Sequence, residues 1–220
     1  FNEGYNSTHH ADLIRNDLMK EAIRLCEIIC QSREVSNYNA HALIALMCFN
    51  AARSDARLDA EGNILLLKQQ DRGKWNRYLI AKGIEHLEAS ANGTFVSKYH
   101  LEAGIAYEHA RANHYAETDW NAILQCYNLL QQYYPSPVVA LNRAIVVTEL
   151  QGPAAGIEAI ERIPDLGDLK KFYLLPATLG ELYWQLEIYD PARSYFAKAM
   201  ELPQSAAEKK LLQQKIDQPV

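Results

Sequence analysis

Apolar residues recur at three- and four-residue spacing through most of the chain, which is the period of an amphipathic helix. In the first such segment Ile14, Leu18, Ala22, Leu25 and Ile29 follow this spacing. Apart from residues 57–77, no stretch is typical of a buried strand, so the predicted fold class is all-α. The predicted helices lie at about residues 11–31, 38–53, 74–91, 97–114, 120–133, 138–150, 154–163, 177–188, 191–202 and 206–217.

Several predicted helices have recognisable ends. Asp119 stands where a side chain can cap a helix start. Gly152-Pro153 ends one helix and opens the next, and Ser205 with Glu208 forms a Ser-x-x-Glu capping box. Because the connections between helices are short, neighbouring helices are expected to form antiparallel hairpins.

A repeat signal is strongest near the C-terminus. Two predicted helices carry the spacing of the tetratricopeptide repeat, with packing residues Leu179, Gly180, Tyr183, Ala192, Phe196 and Ala199. Small residues suit the close approach of two helices, and the aromatic rings fill the space beside them. Gly104 and Tyr107 begin a weaker copy, and Ala144, Gly156 and Ile160 indicate a third. The expected architecture is a degenerate tetratricopeptide-like solenoid of stacked antiparallel hairpins.

The segment RLDAEGNILLLKQQDRGKWNR, residues 57–77, interrupts this pattern. It predicts a short β-hairpin-like insertion near 56–69, with extended arms at 56–60 and 64–68 around a turn at Gly62, and Asp71 as the cap of the next helix. Arg57 and Lys68 occupy positions that need oxygen ligands, which argues against a calcium loop.

The polar residues of this segment have two interpretations. They form an ordered surface that docks a neighbouring domain or holds a ligand, or they form an ion-pair and cap network that only stabilises the insertion. The same choice applies to two polar residues in the apolar run PVVALNRAIVV, which either face the solenoid groove or pair with another helix. The candidate interaction residues are Arg57, Asp59, Gly62, Gln70, Asp71, Arg72, Trp75, Asn142 and Arg143.

The net charge and the length of the apolar runs narrow the set of candidate functions. Of the 220 residues 49% are hydrophobic, and the net charge of −5 argues against this piece holding a nucleic-acid backbone by itself. The apolar runs are much shorter than the roughly 20 residues that span a bilayer, and the start does not resemble a secretory signal, so we expect a cytoplasmic protein with no membrane partner.

No constellation of catalytic residues stands out. The seven histidines include no HxxxH pair, and no phosphate-binding glycine loop or nucleophile elbow occurs. Cys26, Cys30 and Cys48 could approach one another, but buried thiols in a reducing cytosol are the more common case. We therefore expect no enzyme, no catalytic residue, no cofactor and no metal.

Several motifs together resemble one known group of proteins. They are FNEGY (1–5), EAIRL (21–25), residues 57–77, TDW (118–120), PSPVVALNRA (135–144) and GPAAG (152–156). In this order they resemble the C-terminal tetratricopeptide-like extension of bacterial extracytoplasmic-function sigma factors of the sigma-70 family.

The resemblance implies a regulatory module that acts in transcription initiation. Its partners would be the sigma factor's own promoter-recognition domains and RNA polymerase, and promoter DNA only through N-terminal domains missing from this chain. It further implies one helical-repeat domain over 1–220, with a linker at 1–10, first helical units with the insertion at 11–92, and repeats at 97–217. Two alternatives stay open: a free-standing peptide-binding adaptor, and a sensor of an unknown protein or small-ligand signal.

Overall fold

The computed structural model describes residues 1–2, 15–31, 37–164 and 166–217, apart from the side chain of Asp168. No sheet forms in these ranges, and the all-α fold class is confirmed. Ile14 and nearly all of the predicted linker lie outside the described residues. The helices are α1 (Asn16–Cys30), α2 (Tyr38–Ala52), α3 (Arg77–Ser90), α4 (Lys98–Arg111), α5 (Trp120–Tyr133), α6 (Pro137–Gln151), α7 (Pro153–Glu161), α8 (Leu174–Gln185), α9 (Tyr189–Met200) and α10 (Ala206–Asp217).

The chain divides into two compact units, each with its own core. Unit 1 consists of Phe1–Asp59 and Leu65–Ala122, and unit 2 of Ala60–Ile64 and Ile123–Val220. The stacking of all repeats into a single solenoid stays a prediction.

Helix α2 forms the centre of unit 1, and α1, α3 and α4 pack around it. It can do so because it is apolar on nearly every side, and eight of its residues are buried, among them Ile44, Cys48 and Phe49. A Cβ atom on Gly83 of α3 would lie 2.6 Å from the Phe49 ring, so only glycine allows this approach. Tyr107 of α4 packs on the other side, with its ring centroid 5.9 Å from that of Phe49.

Helix α1 packs through a different stripe from the one that its periodicity suggests. Met19, Ile23 and Cys26 are buried against α2, whereas Leu25 and Ile29 of the stripe described above are exposed. The helix carries apolar residues on two sides, and periodicity identifies both sides without saying which one the neighbouring helix covers.

Unit 2 contains two helical hairpins, α6–α7 and α8–α9, followed by α10 packed on α9. In the second hairpin a Cβ atom on Gly180 would lie 2.7 Å from the Phe196 ring, and Ala192 and Ala199 are completely buried. Tyr183 stacks on Tyr195 with ring centroids 5.4 Å apart. The small residues thus lie where α8 and α9 come closest.

The helix ends follow their local signals with one exception. Gly152 adopts φ 90° between α6 and α7, and Ser205 and Glu208 exchange both capping-box hydrogen bonds before α10. The prediction that Asp71 caps α3 is wrong, because its carboxylate accepts from Gly73 N in a separate 3-10 turn. Asn76 caps α3 instead, accepting from Leu79 N at 3.1 Å.

The insertion is less extended than predicted. Residues Ser54–Ala56 and Leu67–Gln69 form 3-10 turns, so the arms predicted at 56–60 and 64–68 are shortened from both ends. The backbone hydrogen bond from Leu65 N to Arg57 O, 2.8 Å long, closes the loop. Gly62, at the turn, has φ 78°, a conformation that favours glycine.

Candidate functional site

The end of the insertion carries Arg72 into the interior of unit 1, where the residue is only 5% exposed. Two local hydrogen bonds hold this segment. Asp71 Oδ1 accepts from Gly73 N at 2.8 Å, which shapes the turn Arg72–Lys74. Asn76 N donates to Ala52 O at 2.9 Å, which ties the segment to the end of α2. The guanidinium therefore points inward from a short, well-supported turn.

Arg72 binds the C-terminal end of α4. Its Nη1 atom donates to His109 O at 2.8 Å and to Ala112 O at 3.0 Å, and Nη2 donates to Thr118 Oγ1 at 3.0 Å. The last carbonyls of a helix have no partner within the helix, and they carry the negative end of its dipole. A buried cation therefore caps α4 from a distant part of the sequence.

Aromatic rings surround this guanidinium. Its Cζ atom lies 5.2 Å from the Trp75 ring centroid and 5.9 Å from that of Tyr115, and Arg53 also lies over Trp75, at 5.4 Å. Trp120 packs edge-on against Tyr115. Attraction between cation and ring partly compensates for the lost hydration of the two arginines.

Two arginines lie close together in this cluster, and the charge of Glu117 acts on Arg72 in the opposite direction. Within the described residues, no carboxylate lies within ion-pair distance of Arg72. Burial, and then the neighbouring Arg53, lowers the pKa of Arg72, although an arginine stays charged at neutral pH. Burial and the same two arginines lower the pKa of His109 to about 3, so its imidazole is neutral.

Gln70 connects the insertion to the end of α2. Its Oε1 atom accepts from Arg53 Nε at 3.3 Å, and its Nε2 atom donates to Leu65 O at 3.1 Å. Its side chain is buried, so it contributes to the internal network and presents little to the outside.

The residues of the predicted interaction surface occupy different places. Gln70, Arg72 and Trp75 are all buried in unit 1. Arg72 binds the end of α4 and packs on Trp75, whereas Gln70 bonds to Arg53 and Leu65. The expectation that they face outward therefore needs correction. Asp71 is exposed, and Arg57 and Asp59 are half-buried. Gly62 groups with unit 2, as do Asn142 and Arg143.

The polar pair on α6 also has a defined environment. Arg143 Nε donates to Asn128 Oδ1 on α5 at 2.7 Å, and Asn142 is half-buried. This pairing agrees with the interpretation in which the pair bonds to another helix. A docking role for the exposed members of the candidate surface stays a prediction.

Sequence reasoning missed the partners of Arg72. Thr118 was noted only within the TDW motif, and Asp119 only as a helix cap, which does accept from Ala122 N at 2.9 Å. The carbonyls of His109 and Ala112 lie 37 and 40 residues from Arg72. A backbone carbonyl has no side-chain signature, so no motif could have identified this contact.

The exposed stripe of α1 is the second candidate surface. Leu25 is 51% exposed, Ile28 50% and Ile29 54%, and they lie on one side of the helix at three- and four-residue spacing. Glu21 and Arg24, joined by a bidentate ion pair, lie on the same helix. A contiguous apolar surface with a polar border is typical of a protein-interaction site.

The cysteines behave as small apolar residues. Burial raises the pKa of the Cys48 thiol to about 12 and also raises the pKa of Cys26 and Cys30. In the described ranges, no three potential ligands are grouped to hold a metal ion. Among the helices in those ranges, none has the length and apolar character that crossing a membrane requires.

These features describe an all-α protein that contains helical hairpins. Residues 1–91 match the model of a family of unknown function, DUF6596. An uncharacterized protein from Rhizobium meliloti (strain 1021) is 32% identical over 217 residues, which are 99% of this chain and 51% of that protein. The chain thus spans about half the length of this relative. No solved structure matches the chain.

Proposed function

We propose that the chain is the regulatory, protein-interaction extension of an extracytoplasmic-function sigma factor. It acts in transcription initiation in the bacterial cytoplasm, and it catalyses no reaction. Three features support this: the ordered motifs that resemble such extensions, the all-α hairpin architecture, and a relative about twice as long, which has room for further domains.

The observation that carries the proposal is the exposed apolar stripe of α1. Helix α1 already packs on its own unit through the buried Met19 and Ile23. Its folding therefore does not require a second apolar side. The additional exposed Leu25, Ile28 and Ile29 expose apolar area to water at a cost of about 25 cal/mol per Å². A docked partner would remove that cost, and the stripe lies within the part of the chain that matches the family of unknown function.

In this mechanism the stripe docks on a promoter-recognition domain of the same sigma factor or on RNA polymerase. Helix α1 and Arg72 belong to the same unit. The buried contacts of Arg72 help to keep that unit rigid, so that α1 presents its stripe in a fixed orientation. Docking selects one arrangement of the sigma domains, and it thereby sets whether the factor is competent to initiate transcription.

The proposal is tested with Leu25→Ser and Ile29→Ser combined in the full-length protein. We expect binding to the isolated promoter-recognition domains to weaken at least about tenfold, with a change in transcription from the cognate promoter. Thermal stability should stay unchanged, because both side chains are about half exposed. Val138→Ser is the matched control, since Val138 is 48% exposed on a helix of unit 2. Unchanged binding and transcription in the double variant would exclude the proposed docking surface.

A small-ligand sensor is the second candidate function, and one observation favours it. Arg72 Nε, Trp75 Nε1 and His109 Nδ1 are buried and lack a hydrogen-bond partner among the described residues. Buried donors normally have partners, and two arginines make this cluster attractive to a small anion. Inorganic phosphate should then raise the melting temperature of the wild type but not of Arg72→Lys. Equal shifts would indicate a general salt effect.

A further inference from the structure

His41 and His86 face each other between two helices of unit 1. His41 is in the first turn of α2 and His86 is near the end of α3, and their Nδ1 atoms are 2.9 Å apart. The ring centroids are 4.9 Å apart with planes inclined by 34°. Both rings are half-buried. We propose that these two histidines form a proton-sharing latch that joins α2 to α3 and opens when both rings are protonated.

The latch follows from the hydrogen-bonding capacity of imidazole. At 2.9 Å one Nδ1 atom must donate and the other must accept, so two neutral rings need opposite tautomers. A single added proton is compatible with the contact, because an imidazolium is a stronger donor to the neutral ring. A second proton turns both Nδ1 atoms into donors and brings two positive charges together. The hydrogen bond is then lost.

The surroundings favour the neutral partner. Burial, and then the neighbouring His41, lowers the pKa of His86. Glu27 of α1 and Glu85 of α3 act in the opposite direction, while Lys82 of α3 lowers the pKa further. Helix α4 also packs on α2, but it contributes none of the described charges that shift this group.

The latch lies close to two other contacts that α3 makes with its neighbouring helices. Lys82 lies one helical turn before His86, and its ion pair with Glu27 joins α3 to α1. Gly83 lies on the same helix in close contact with the α2 core. Opening the latch therefore loosens the contact of α3 with both helices. The sign of the effect follows from the lowered pKa of His86: stability is complete above the unfolded-state value near 6.5 and decreases as the pH falls through the folded-state value.

A double-mutant cycle in the full 220-residue chain tests the latch. Wild type, His41→Ala, His86→Ala and the double variant are unfolded with urea at pH 7.5 and pH 5, with EDTA present. The coupling between the two positions should favour folding by about fivefold at pH 7.5, as expected for one hydrogen bond, and should be smaller at pH 5. His109 is present in all four proteins, so its own protonation cancels.

Two further measurements sharpen the test. His41→Ala combined with His114→Ala is the control cycle, because His114 is exposed and lies elsewhere on the unit, and it should show no coupling at either pH. Imidazole nitrogen spectra at pH 7.5 should show opposite tautomers for His41 and His86. Identical tautomers, absent coupling at pH 7.5, or equal coupling at both pH values would overturn the proposal.

Discussion

The segment around Arg72 in unit 1 and the α8–α9 hairpin in unit 2 are both held by close contacts, but the contacts are of different kinds. In the hairpin, side chains fit side chains: Gly180 and Ala192 leave room, and Phe196 fills it. In the segment around Arg72, a side chain binds backbone groups, since Arg72 donates to two carbonyls at the end of α4. The first kind of contact leaves a pattern in the sequence, and the second leaves almost none.

The two kinds of contact also respond differently to an amino-acid substitution. Packing between apolar groups can relax when a side chain is altered, and neighbouring residues absorb part of the strain. A buried guanidinium with fixed partners cannot relax, because its removal leaves polar atoms unpaired in the interior. We therefore expect substitutions in the segment around Arg72 to cause the largest losses of stability, even though this segment contains little regular structure.

Arg72→Ala should cause the largest loss, about 4 kcal/mol in the free energy of unfolding. The variant leaves the carbonyls of His109 and Ala112 without their donor and removes a cation that packs on Trp75. Urea unfolding followed by circular dichroism measures the effect. Arg72→Lys should lose roughly half as much, because it keeps the charge but not the forked donor geometry.

The control for this prediction is Arg77→Ala, which removes an exposed arginine of the same unit. Surface substitutions of this kind usually change stability by about 0.5 kcal/mol or less. If Arg72→Ala were no more destabilising than Arg77→Ala, the cap on α4 would contribute little to folding.

Gly180→Ala should cost about 2 kcal/mol, because the new methyl group would meet the Phe196 ring. The matched control is the same change in the background Phe196→Leu, which removes the ring. There the added methyl group should cost clearly less than in the wild type. Equal costs in both backgrounds would place the strain in the helix backbone instead of the contact.

Removing one helix-capping side chain from each unit allows a comparison of the two units by the same kind of substitution. Ser205→Ala in unit 2 and Asn76→Ala in unit 1 each delete one side-chain hydrogen bond to a helix start. Each should cost about 1 kcal/mol by chemical denaturation. A much larger cost for Asn76→Ala would show that its position beside the insertion, and not the cap itself, dominates.

The smallest change is expected for His109, whose resonances should not move between pH 8 and pH 5. Its pKa is lowered to about 3 in the folded chain, whereas an unfolded histidine titrates near 6.5. The stability that it contributes is therefore complete above pH 6.5 and is lost as the pH falls toward 3. Nuclear magnetic resonance follows the ring directly, and a shift with a midpoint near 6.5 would contradict its burial between two arginines.

The distribution of the histidines allows unit 2 to serve as a control for unit 1. All seven lie within residues 1–122, and residues 123–220 contain none. The indole resonance of Trp184 reports on unit 2, whereas Trp75 and Trp120 belong to unit 1. Between pH 7 and 5 histidine protonation should therefore weaken unit 1 and leave the local signal of Trp184 unchanged.

The helices could be predicted because their signals are local. The periodic apolar residues identified the helices of both units, and Ser205 with Glu208 identified the start of α10. The candidate site was predicted only in part. Arg72 and Trp75 were recognised as unusual, but their burial was not foreseen, because it depends on carbonyls and rings far along the chain.

The sequence by itself determined the all-α class, the order of the helices and the close contact at Gly180, because each follows from spacing within a few turns. Only the tertiary structure decided which stripe of α1 is buried, that Arg72 caps α4, and that His41 meets His86. These contacts join residues that lie tens of positions apart in the chain, and they depend on how the helices are arranged around α2. Periodicity describes one helix at a time, whereas burial is a property of the whole unit.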